Sequence, residues 1–134
     1  MKNVERIKSE GKIIAIIARG VPEDEGIHFL TPPAFSQQLG LMYRKKDYII
    51  QPHVHKTIRR MISVIQEVLY ILSGSIEITL YNKHREKVKS LVLKGGDTVM
   101  LVSGGHGIKF LEDSRLLEVK QGPYSGVGGD KEHF

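Results

Sequence analysis

The sequence predicts a single all-β domain, a sandwich or a barrel. Short apolar or alternating runs of strand length recur along most of the chain, Gly-rich turns separate them, and almost no stretch keeps a helical period. The 134 residues fit one domain, since domains centre on about 100–150 residues. No internal repeat or low-complexity linker divides them. The expected organisation is therefore one domain over 1–134, with a short N-terminal arm at about 1–11 and a Gly-rich C-terminal arm at about 122–134.

Residues 1–11 read as a short helical turn or a frayed arm. Lys12 to Arg19, KIIAIIAR, reads as a buried or edge strand stopped by Gly20. An acidic turn at 21–26 precedes a short strand from Ile27 to Thr31, ended by Pro32-Pro33. His28 in that strand reads as a partly buried histidine rather than a ligand. Gln37 to Lys45 and Asp47 to His55 read as two strands around a turn, with Pro52 marking an edge or bend in the second. The segment 56–66, KTIRRMISVIQ, is ambiguous: Ile58, Met61, Ile62, Val64 and Ile65 suit a short helix, whereas Ile and Val enrichment favours extended structure. Extended structure is the expectation.

Glu67 opens the β-branched run Val68 to Leu72, which ends at the Ser73-Gly74 turn. Ser75 to Tyr81 alternates, with Ile76, Ile78 and Leu80 on one face and Glu77 and Thr79 on the other. Asn82 to Glu86 is a polar hairpin loop, which makes His84 a solvated residue. Lys87 to Leu93, Thr98 to Leu101, Gly107 to Leu111 and Arg115 to Gln121 complete the strands. The bland reading of Tyr70 is core, and neither it nor Tyr124 is given a catalytic role.

The chain has no cysteine, which excludes a disulfide framework and a thiolate metal site. Near the start, the longest apolar run is Ile13 to Ala18, too short for the ~7–15 apolar residues of a signal peptide or the ~20 of a spanning helix. The expected location is the cytoplasm, without a membrane. A net charge of +5 is compatible with nucleic acid, an acidic surface or an anionic small molecule. With 7% aromatic residues and no Trp, a stacking platform for single strands is not evident, and nucleic acid is disfavoured.

His53 and His55 lie two apart, so on a strand both imidazoles point to one side. Glu67 and His106 each stand at a strand start. Three imidazoles and a carboxylate are costly to gather without a partner, and a divalent ion satisfies all four. That set selects zinc, iron, manganese, nickel or copper without deciding among them.

The same residues resemble the two motifs of the cupin superfamily. Its pattern is a His-x-His pair, a Glu followed by a Gly at the end of its strand, then a Gly-Asp strand leading through a Gly turn to a last His. Here these are His53, His55, Glu67, Gly74, Gly96-Asp97, Gly104 and His106, and the likeness covers roughly residues 40–120. Eleven residues separate His55 from Glu67, where the family usually has only a few, and Val102 stands where Pro is usual.

The resemblance implies a cupin-type double-stranded β-helix, or jelly-roll barrel, with one divalent transition ion on His53, His55, Glu67 and His106. It further implies action on a small anionic or sugar-like molecule, as an isomerase, epimerase or oxygenase. A non-enzymatic metal-dependent binding or sensing module is the alternative, and a plain structural domain a third, so whether the chain is an enzyme stays open. Arg59 and Arg60, inside the long insertion, are candidates to hold an anionic group of a small-molecule ligand, with a solvated surface as the competing reading. A homodimer is expected, because the insertion and the Ile13–Ala18 strand need cover in so small a domain.

Overall fold

The computed structural model describes residues 3–134 and is mostly β, built of antiparallel sheets with almost no helix. The strands are β1 (Val4–Ser9), β2 (Lys12–Arg19), β3 (Gly26–Phe29), β4 (Gly40–Tyr43), β5 (Glu67–Ser73), β6 (Ser75–Tyr81), β7 (Lys87–Lys94), β8 (Asp97–Leu101), β9 (Gly105–Phe110) and β10 (Arg115–Lys120). One helical turn, α1 (Val127–Asp130), interrupts the C-terminal arm. Among the described residues, no helix is long and apolar enough to cross a membrane.

Five strands form one sheet in the order β1-β2-β8-β5-β10, three form a second in the order β7-β6-β9, and β3 and β4 make a separate hairpin. The sheets share no strand, and no closed barrel is formed among the described residues. The main core lies between the two large sheets. Ile76, Ile78 and Leu80, the alternating apolar residues of β6, pack there with Ala15, Ile17, Leu69, Ile71, Val99 and Leu101. Each fully buried Ile or Leu contributes about 1.5–3 kcal/mol of transfer free energy.

A second cluster lies on the outer face of the five-stranded sheet. Leu30 and the partly buried Phe35, Leu39 and Leu41 cover Ile16, Ala18, Met100 and Val102 there. Strands β2 and β8 are therefore buried on both faces, which is why KIIAIIAR and TVML read as continuous apolar runs rather than alternating ones. Asp97, 4% exposed, is tolerated because Arg19 Nη1 lies 3.0 Å from its Oδ2 and the Lys94 amide donates to the same oxygen at 3.0 Å.

The two long edges of the sandwich differ. On one, β1 faces β7 and ion pairs lace the sheets: Glu5 with Lys89, and Glu10 with Lys83 at 3.1 Å and His84 at 3.2 Å. On the other, among the described residues, β9 is paired only with β6 and β10 only with β5. These two strands follow each other in sequence, so the sheets splay from the turn between them and leave a gap bounded by two unpaired edges.

Several expectations are corrected. Of the arm expected at 1–11, Val4–Ser9 is a paired strand, β1, rather than a helical turn or frayed end, because it finds the free edge of β2, while residues 1–2 lie outside the described residues. The apolar residues Ile14 to Ala18 are buried within the chain itself, so they give no reason for a dimer. The strand expected over Gln37 to Lys45 shrinks to Gly40–Tyr43. Asp47 to His55 forms no strand, and neither does 56–66: no sheet edge lies alongside to complete a ladder, and Pro52 lacks a donor. Every residue from Lys45 to Ile65 is exposed.

Candidate metal centre

Glu67, Leu69 and Ile71 alternate toward the interior of the sandwich, and the antiparallel register sets Lys120 opposite Glu67 and Glu118 opposite Leu69. The side chains of Glu67, Glu118 and Lys120 thus emerge on one face of the β5–β10 pair, at the unlaced side. From the other sheet, β9 pairs with β6 so that His106 stands opposite Leu80, and its ring points into the same gap. Gly104, at φ 76°, makes the turn that delivers it. A Cβ at Gly104 would sit 2.2 Å from the Tyr81 carbonyl oxygen, so only glycine passes there.

The result is a cross-sheet pair. His106 Nε2 lies 3.4 Å from Glu67 Oε2, with side chains 33% and 15% exposed. That separation is long for a hydrogen bond but close enough for a strong charge interaction. The carboxyl of Glu67 is drawn down to about 2, chiefly by the His106 imidazole, with Glu118 and Lys131 adding to the effect against the opposing influence of burial. Glu118 is pushed the other way, first by its hydrogen bond to Glu67 and then by burial. Of the two carboxyls, Glu67 therefore ionises first and Glu118 keeps its proton longer as pH rises.

A cavity of about 970 Å³ opens onto this pair. Glu67, His106 and Lys120 line it, with Tyr81 and Arg85 farther along the wall and the C-terminal residues 130–134 across it. The tail is held by Glu132, 3.1 Å from Arg85, and by the Phe134 ring, edge-on to Tyr81 at 5.1 Å. The arm expected at 122–134 is thus a strap over the cavity rather than a loose end.

Of the residues singled out in the sequence, the structure brings Glu67 and His106 together and leaves His53 and His55 apart from them. The His pair lies on the exposed segment, its rings 5.4 Å apart and edge-on, with His53 Nδ1 2.9 Å from the Gln51 carbonyl oxygen. Among the described residues, no three His, Asp or Glu side chains are grouped to hold a metal. The donors that do meet, one imidazole nitrogen and one carboxylate oxygen, are the types a divalent transition ion takes, and they fill half of a four-ligand set.

Arg59 and Arg60 are also exposed on the segment and do not line the cavity. The cations that do are Lys120, Lys131 and Arg85. Sequence reasoning passed over Glu118 and Lys120, although their even spacing shows they share a face; only the register with β5 reveals that this face is the one Glu67 occupies. His84 is solvated beside Glu10, and Tyr70 faces outward and is 38% exposed rather than core.

No protein-family model matches the chain, and neither a curated protein nor a solved structure matches it significantly.

Proposed function

We propose that this chain is a jelly roll of the cupin type that holds one divalent transition ion through His53, His55, Glu67 and His106 and acts on a small anionic or sugar-like molecule. The observation that carries the reading is the convergence of Glu67 and His106. They come from different sheets and from motifs 39 residues apart, yet meet at the mouth of the one large cavity described above. A cross-sheet imidazole and carboxylate at a cavity mouth serve ligation better than stability, since neither adds to the apolar core.

A bound ion would polarise a carbonyl or hydroxyl oxygen of the ligand or lower the pKa of a water. The chain's own groups supply the rest. Lys120, beside Glu67 in the ladder, and Lys131, on the strap, present positive charge to a carboxylate or phosphate. Glu118, beside Glu67 in the ladder rather than lining the cavity, keeps its proton at a higher pH than an ordinary carboxyl, so its influence on a bound molecule runs through Glu67. The strap from Asp130 to Phe134 forms one wall of the cavity.

The reading is tested by melting untagged protein with and without a chelator. An ion at ~1,000 times its dissociation constant adds about 4 kcal/mol, so chelation should lower the melting temperature by several degrees and re-addition of metal should restore it. An unchanged melting temperature removes the ion from the account.

A further inference from the structure

The segment between β4 and β5 is the least accounted-for part of the molecule. Its roots are tied down: Lys45 Nζ lies 3.6 Å from Glu25, and at the far end the Gln66 amide donates to Gln121 Oε1 at 2.6 Å. Between them, among the described residues, the backbone of 49–65 makes no hydrogen bond to another backbone group. Nine large apolar residues from Tyr48 to Ile65 stand exposed, among them Ile49 at 70%, Val54 at 89% and Met61 at 98%. A chain that folds alone does not leave such a run in water.

Two further observations say what it meets. The unlaced side of the sandwich offers the free edges of β9 and β10, flanked by exposed Phe110, Leu117 and Val119. An exposed apolar edge is a template for an added strand. The second observation is charge. From Arg44 to Gln66 the segment holds six basic residues and one acid, so the whole net charge of +5 resides there and the rest of the chain is neutral. The β9–β10 turn carries Glu112 and Asp113, which form no ion pair among the described residues.

We propose that two copies of this chain exchange these segments, each adding its 49–60 stretch as a strand on the β9 edge of the other. The partner's His53 and His55 then complete the site begun by Glu67 and His106. Within one chain, the segment is exposed and the β9 edge carries no strand, only the 130–134 strap at its Gly105 end; a second copy covers the two surfaces reciprocally, as an isologous two-fold pair does. Ile49, Ile50 and Ile58 lie in the added stretch, and Met61, Ile62, Val64 and Ile65 follow it directly, so the exchange carries most of the exposed apolar run onto the partner. The alternation of an added strand also fits: with His53 and His55 turned to the gap, Val54 turns outward, and Lys56, Arg59 and Arg60 continue toward the acidic turn.

The shared-site part of this inference rests on the metal reading above; the exchange itself does not. Both are tested with mixed copies. His106→Ala lacks the body's imidazole, and His53→Ala with His55→Ala lacks the segment's. Refolded together, they should regain zinc binding that neither shows alone, because each mixed dimer holds one complete site; no recovery overturns the shared site. The exchange is read separately, in a chain that has no cysteine of its own. Val54→Cys mixed with Lys109→Cys, treated with a short bismaleimide, should give a cross-linked pair of chains. Cross-linking only inside a Val54→Cys/Lys109→Cys double variant would show that the segment docks on its own chain, and either that result or no cross-link in both overturns the exchange.

Discussion

Glu67 and His106 stand 3.4 Å apart although one opens β5 of the five-stranded sheet and the other belongs to β9 of the facing three-stranded sheet. Their contact exists only when the two sheets are stacked. It therefore reports on tertiary structure as well as on the site, and the two roles can be separated by experiment.

Titration separates them first. In chelator-treated protein, Glu67 has a folded-state pKa near 2, below its ordinary value of 4.5. A depressed carboxyl contributes stability that is complete above about 4.5 and disappears as pH falls toward 2. Glu118 is raised and acts in the opposite sense, favouring the folded state as pH falls through its own range. Glu67→Gln should thus cost stability at pH 6 and lose that cost by pH 2–3, whereas Glu118→Gln should be neutral or slightly stabilising at pH 6. Urea unfolding across this range checks both signs.

Gly104 is the hinge of the site. Gly104→Ala brings a methyl against the Tyr81 carbonyl and forces alanine into a left-handed backbone. A loss of about 2–4 kcal/mol is expected from strain and displacement together, with metal affinity falling alongside because His106 lies two residues on. A Gly104→Ala protein as stable as the parent would mean that the turn does not set the position of His106.

Far from the site, Asp97 tests the core of the five-stranded sheet. Its carboxylate holds Arg19 and the Lys94 amide at 3.0 Å each. Asp97→Ala strands both donors, although Arg19 keeps Val92 as an acceptor and is partly solvated. The expected loss is about 1–3 kcal/mol, read as a lower urea midpoint with an unchanged slope.

Local patterns announced some of this molecule and not the rest. The alternation of Ile76, Ile78 and Leu80 needs only a half-buried strand to explain it, so β6 was legible from its own residues. So was the position of Glu67, since a charged residue followed by β-branched ones and a Ser-Gly turn marks a strand start. Strand β1 was not: in VERIKS only Ile7 is buried, and what makes it a strand is the neighbouring edge of β2. The spacing of Glu118 and Lys120 puts them on a shared face, but which face depends on pairing with β5, a contact about fifty residues away. Residues 47–55 were expected as a strand from their composition and form none, because a strand requires a partner edge alongside and none lies there among the described residues.

The central claim, a divalent ion on His53, His55, Glu67 and His106, is tested most directly by the metal content of untagged protein. Wild-type protein equilibrated with zinc at neutral pH and freed of excess should retain about one ion for each chain. His106→Ala should lose most of it while keeping its β-rich circular dichroism, and Glu67→Gln should lose less. Retention should fall on acidification, because protons compete with the ion for the same ligand atoms. Wild-type protein that retains no ion, or His106→Ala that retains a full complement, would contradict the account.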